Sequence, residues 1–159
     1  MADQAAVAAL TWGVKQSFRA YVEGAGGSID VGSGAERTAD GAFSFAAAPG
    51  GGLTLAADGR PQGRGDFVGD VQFQAHGGML SVCLADPRLQ TGPEGAVVTV
   101  ADSLTRDRRV ILAELDLAAA AREGDEVVIP AKLARDGWQV LGDHYPPMSP
   151  LDPVRLRVR

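Results

Sequence analysis

The chain has 159 residues, of which 45% are apolar and 22% charged, a composition typical of one globular domain and unlike that of a disordered chain. Fifteen basic against 20 acidic residues give a net charge of −5. No basic cluster offsets it, so neither nucleic acid nor an anionic membrane is an expected partner. The single Cys excludes an internal disulfide, and with only two His it excludes a zinc site built from His and Cys alone.

Targeting signals are not visible in the sequence. No apolar run approaches the ~20 residues of a membrane span. The first residues also lack the basic segment and hydrophobic stretch of a secretion signal. As written, the sequence predicts a cytoplasmic protein; the alternative is a secreted or cell-surface protein whose signal has been removed.

The first 22 residues predict an amphipathic helix. Its apolar residues recur at steps of three and four, the spacing of one helix face. They are Val7, Leu10, Val14, Phe18 and Val22. Ser17 and Tyr21 are one turn apart beside this apolar face, and the Gly-rich segment 24–27 ends the helix.

Beyond the helix the hydrophobic period changes to two, which is typical of β-strands. Residues 70–76 alternate, Gly77-Gly78 predicts a turn and residues 80–84 continue the alternation, so we expect a hairpin. Further strands are predicted at residues 43–45, 53–55, 96–100, 110–115, 127–129 and 154–158. A short helical turn is predicted at 116–122, and Gly-rich loops at 24–41 and 56–68. The fold class expected for residues 1–159 is a single β-rich α+β domain, with antiparallel, sandwich-like sheets and an N-terminal amphipathic helix.

Several enzyme signatures are missing from the sequence. It contains no Gly-x-x-x-x-Gly-Lys phosphate loop, no complete dinucleotide fingerprint and no Gly-x-Ser-x-Gly elbow. The remaining candidates are Tyr21, with Ser17 one turn before it, His76 at the end of a predicted strand, and also Tyr145, His144, Met79 and Met148. Taken singly, Tyr21 is better explained as a tyrosine at the edge of the core, and His76 as a polar residue beside a turn.

Together, however, these residues fall in a pattern that resembles the HtaA-type haem-binding domain of actinobacterial haem-uptake proteins. Residues 10–21, LTWGVKQSFRAY, are similar to the opening motif WGVKxSFRxY of that domain. Its later landmarks are matched in the same order by DGAFSF (40–45), VQFQAHGGML (71–80), LADPR (84–88), LAELDL (112–117) and LDPV (151–154). The resemblance therefore covers nearly the whole chain.

The resemblance implies a ferric haem b with Tyr21 as the axial ligand of its iron. It also implies that His76 hydrogen-bonds to Tyr21 and that Ser17 lies against the haem. A phenolate is a hard, anionic donor suited to ferric iron, and a histidine N–H donated to it would orient the ring. For the haem propionates, Arg19, Lys15 and backbone amides of the Gly-rich segments are all candidates.

The function implied is non-enzymatic haem binding for uptake, transfer or buffering, with at most weak peroxidase-like activity. One alternative is a peroxidase- or catalase-like enzyme, since haem with a tyrosine ligand and an open sixth position can react with peroxide. Another is a haem-free, β-rich interaction module. The partners expected are haem and another haem-carrier or haem-receiving protein; a homodimer is a further option that the sequence leaves open.

Overall fold

The computed structural model describes residues 5–49, 52–93, 95–137, 140–141 and 145–158. Its α-helix, α1, spans Gln16–Gly24, and 3-10 turns cover His76–Gly78, Leu117–Ala119 and Arg135–Gly137. The strands are β1 (Ala5–Trp12), β2 (Ser28–Gly32), β3 (Glu36–Arg37), β4 (Phe43–Ala47), β5 (Thr54–Leu55), β6 (Pro61–Gln62), β7 (Arg64–Val68), β8 (Asp70–Ala75), β9 (Leu80–Gly92), β10 (Gly95–Ala101), β11 (Arg109–Leu115), β12 (Ala121–Glu123), β13 (Glu126–Leu133) and β14 (Pro150–Val158).

Eight of these strands form a closed antiparallel ring in the order β1-β4-β7-β9-β10-β11-β13-β14. β1 closes the ring, because its Leu10 lies opposite Phe45 of β4 on one side and Leu156 of β14 on the other. Buried apolar side chains from all eight strands share one core. The β-rich prediction is confirmed, but the sandwich-like arrangement is corrected to a barrel, in which closure gives every ring strand two neighbours.

The predicted N-terminal helix is correct only in its second half. Residues 16–24 are helical, residues 5–12 form β1, and residues 1–4 lie outside the described residues. The apolar residues of β1 fit both the three-to-four-residue spacing of a helix and the two-residue period of a strand, since Leu10 and Trp12 also alternate. Pairing with both β4 and β14 satisfies the backbone of β1 on each side, and this outweighs the helix propensity of its alanines.

The strand predictions from residue 43 onward are confirmed in position, although most of the strands are longer than expected. The two predicted Gly-rich loops are wrong, because they contain β2 and β3 in one case and β6 and β7 in the other. β7 was missed because Gly65 occupies one of its two buried positions beside Phe67, so no apolar alternation is visible there. The predicted turn at 116–122 is confirmed as the 3-10 turn Leu117–Ala119.

Two further strands, β8 and β2, extend the sheet from β9 of the ring and support α1. β8 forms the predicted hairpin with β9, and β2 pairs with the other side of β8. Phe18 of α1 packs against Phe73 of β8 with ring centroids 5.0 Å apart, and Phe73 in turn meets Phe43 of β4 at 5.7 Å. In the part of the chain that the structure describes, no helix has the length and apolar character needed to cross a membrane.

Candidate functional site

The helix α1 presents two different faces. Phe18 and Val22, four residues apart, are fully buried. Ser17 and Tyr21, also four residues apart, are exposed, and Tyr21 keeps 42% of its surface accessible. The burial of the first pair therefore leaves the second pair, which the sequence predicted beside the apolar face, on the solvent side of the helix.

The connection after α1 brings Tyr21 to the end of β8. Ser28, the first residue of β2, lies opposite Gln74 of β8. Gly27 passes so close to β8 that a Cβ atom there would overlap the Gln74 carbonyl oxygen. The helix therefore ends against the last residues of β8, beside the turn that carries His76.

His76 is hydrogen-bonded to Tyr21, as the resemblance implied. The distance between Tyr21 Oη and His76 Nε2 is 2.6 Å, and the two rings are tilted by 57° with centroids 5.7 Å apart. His76 lies in the turn between β8 and β9 rather than in the strand itself, and has a left-handed φ of 55°. A non-glycine residue in this region carries a conformational cost. Residues held in such conformations cluster at functional sites.

The glycines near Tyr21 and His76 in the sequence have room beside them among the described residues. A Cβ atom added to Gly24 or Gly26 beside Tyr21, or to Gly77 or Gly78 beside His76, would have no described atom within 4 Å. Met79, next in the turn, is 91% exposed. Among the described residues, the end of α1 and the turn after β8 are therefore uncrowded beside these glycines.

Of the two cationic side chains considered for the propionates, Arg19 is unavailable. It is buried, and its Nη1 donates to Asp152 Oδ2 and to the Gly13 carbonyl oxygen, each at 2.7 Å. Lys15 is half-buried; its Nζ donates to the Pro150 carbonyl oxygen at 2.6 Å and lies 5.0 Å from the centre of the Tyr145 ring.

Asp152 is the residue near α1 whose role the sequence reasoning missed. The segment LDPV was noted as a landmark, but no function was assigned to its carboxylate. In the structure Asp152 Oδ1 accepts a hydrogen bond from the Gln16 backbone N–H at 3.0 Å, at the first turn of α1. The residues are 136 positions apart in sequence, and no local pattern links them.

Other side chains offer poorer iron ligands. The second tyrosine, Tyr145, is half-buried and packs edge-on against Phe18 with centroids 6.3 Å apart. Burial, with a smaller contribution from Asp70, raises the pKa of the Cys83 thiol, so this group stays protonated at neutral pH. The described residues contain no group of three or more His, Cys, Asp or Glu side chains able to hold a bare metal ion.

Comparisons with known proteins give a family match and a common fold. Residues 7–157 match the family model HtaA, described as Htaa. The C-terminal domain of HtaA from Corynebacterium glutamicum has 22% identity and a TM-score of 0.74, with 98% of this chain and 97% of that chain covered. The N-terminal domain of the same protein has 27% identity, a TM-score of 0.71 and 98% coverage of both chains. Heme binding protein HtaB from that organism has 20% identity and a TM-score of 0.68, with 97% and 93% covered. No curated protein matches the sequence.

The left-handed φ of His76 and its position in an exposed turn predict that its side chain contributes little to stability. In His76→Gly we expect the free energy of unfolding in urea to change by less than about 0.5 kcal/mol. Glycine adopts the left-handed φ readily, which offsets the loss of an exposed hydrogen bond.

The matched control is Ala75→Gly, one residue earlier, where the backbone is extended and the side chain is 3% exposed. That variant should lose about 1.5 kcal/mol, because a buried methyl is removed and the unfolded chain gains freedom. A loss of about 2 kcal/mol or more in His76→Gly would instead make His76 a structural residue.

Proposed function

The chain belongs to the HtaA family, and from that premise we propose that it is a haem-binding protein, not an enzyme, with Tyr21 as the ligand of ferric haem b. The observation that carries the proposal is the hydrogen bond of 2.6 Å between His76 and Tyr21, a tyrosine that keeps 42% of its surface accessible. The physiological role proposed is the uptake, transfer or buffering of haem, in exchange with another haem-carrier or haem-receiving protein.

The residues of the candidate site are chemically suited to haem. Haem, when bound, supplies a ferric iron that favours an anionic oxygen donor, and tyrosine is an established axial ligand. Tyr21 keeps 42% of its surface accessible, and glycines with room beside them follow it at 24 and 26 and follow His76 at 77 and 78. Ser17 offers an exposed hydroxyl on the same helix face, which supports its proposed place against the ligand.

His76 supports Tyr21 in two ways. In the haem-free protein either group can be the donor of their hydrogen bond, since His76 Nε2 either carries or accepts a proton. When Tyr21 is a phenolate, His76 Nε2–H donates to its oxygen, orients the ring and withdraws charge from it. When the ligand binds, His76 Nε2, 2.6 Å away, can accept the proton of the phenol. When the ligand leaves, His76 can return that proton to the phenolate.

A haemin titration tests the binding proposal. We expect a saturable, high-spin ferric spectrum with a phenolate charge-transfer band, and saturation at equimolar haemin. Tyr21→Phe should remove the band and weaken binding by more than about 100-fold, since loss of the ligand exceeds the ~10–100-fold typical of its supporting groups.

Tyr145→Phe is the matched control, because it makes the same change at the second tyrosine of the chain. It should leave the band in place. His76→Ala should weaken binding within the ~10–100-fold range and keep a tyrosinate spectrum. If haemin gives only unsaturable absorbance changes, or if Tyr145→Phe abolishes the band and Tyr21→Phe does not, the assignment is wrong.

Reduction tests the mode of release. Ferrous iron carries one positive charge less, so its attraction to the Tyr21 phenolate is weaker. Dithionite should therefore give a spectrum without tyrosinate features and accelerate transfer of haem to apomyoglobin. Identical ligation and transfer rates in the two redox states would argue against a carrier that releases on reduction, and would leave haem storage as the role.

A further inference from the structure

We propose that Asp152 is a positioning residue for Tyr21, acting through the capping and charge pairing of α1; this inference rests on the proposed haem function. Asp152 lies in β14, whereas Tyr21 lies near the opposite end of a helix that begins at Gln16. The link between them is a set of hydrogen bonds that we call the Asp152 clasp, formed by Asp152 with residues 12–19.

Asp152 contributes both its backbone and its side chain to the clasp, and all of its partners lie within residues 12–19. Through its backbone, Asp152 donates N–H to the Val14 carbonyl oxygen at 2.9 Å and accepts from Trp12 Nε1 at 2.7 Å. Through its side chain, Oδ1 accepts from the Gln16 N–H at 3.0 Å and Oδ2 from Arg19 Nη1 at 2.7 Å. The strand–helix junction is thereby fixed to β14.

α1 depends on this external support. Nine residues are fewer than the ~12–15 that an isolated helix needs to be even marginally stable. The N-cap residue, Lys15, makes no side-chain capping bond, and the first turn holds no acidic residue. The carboxylate of Asp152 supplies both missing elements, a capping acceptor and a negative charge at the helix N-terminus.

Through Arg19, Asp152 also holds a position further along the helix. The Arg19 side chain is 11% exposed and that of Asp152 is 27% exposed, so the pair lies largely out of solvent. Position 19 is two residues before Tyr21, about 200° around the helix, so the clasp holds one side of α1 while Tyr21 faces the other. A rotation or shift of α1 that loosens the clasp therefore moves the Tyr21 hydroxyl out of reach of His76.

The first measurement needs no haem. The His76 imidazole ¹⁵N shifts are recorded in the haem-free protein, with Tyr21→Phe as the reference for a lost hydrogen bond. Asp152→Asn keeps an oxygen that can cap the helix but removes the charge paired with Arg19, so we expect the His76 Nε2 shift to move part of the way to the Tyr21→Phe value. This readout depends on the Tyr21–His76 contact and not on haem, so it separates failure of this inference from failure of the proposed function.

The second measurement is haemin affinity together with the charge-transfer band. In folded Asp152→Asn we expect about tenfold weaker binding and a displaced band, the size of effect typical of groups that orient a ligand. The matched control is Asp66→Asn, which removes an ion pair of similar length, 2.6 Å to Arg88, between β7 and β9. It should leave the His76 shift and the band unchanged.

Two results would overturn the inference. One is a folded Asp152→Asn whose His76 shift and band remain at wild-type values. The other is an equal change in Asp66→Asn, which would mark a general loss of stability. If circular dichroism shows that Asp152→Asn is unfolded, Arg19→Lys takes its place: it keeps the charge but not the guanidinium geometry, and should shift His76 in the same direction by a smaller amount. A wild-type His76 shift in folded Arg19→Lys would then contradict the inference.

Discussion

The contact between Phe18 and Phe73, at 5.0 Å between ring centroids, couples the two segments that carry the site. Phe18 lies three residues before Tyr21 on α1, and Phe73 lies three residues before His76 on β8. Both rings are fully buried, and loss of a buried phenylalanine ring typically costs about 3–5 kcal/mol. The packing of the core thus sets the distance between two side chains that are themselves exposed.

Stability and binding are separated in space in this molecule. The closed ring of strands holds the core, while Tyr21 and His76 lie on the helix and turn that flank it. The ring can therefore tolerate the left-handed backbone of His76 and an open, polar surface next to it. This separation suits the role proposed here, in which the protein both takes up and releases haem.

Much of the candidate site could be predicted from local patterns. The helical spacing places Tyr21 beside the apolar face of α1, and the alternation through Phe73 places His76 at the strand end, but only the resemblance to the HtaA-type domain joins the two into one site. β1 was misread because its residues fit a helical as well as a strand period, and only its pairing with β4 and β14 decides between them. The role of Asp152 depends on a contact across 136 positions, which no local pattern contains.

The central claim, that Tyr21 binds the iron as a phenolate, is tested most directly by resonance Raman spectroscopy of the ferric haem complex with ring-labelled tyrosine. Tyr21 and Tyr145 are the two tyrosines of the chain, so the Tyr145→Phe background leaves Tyr21 as the single labelled residue. The account predicts tyrosinate vibrations, enhanced on excitation in the charge-transfer band, that shift with the ring label. Tyrosinate vibrations that are absent, or a spectrum that the label leaves unchanged, would contradict it.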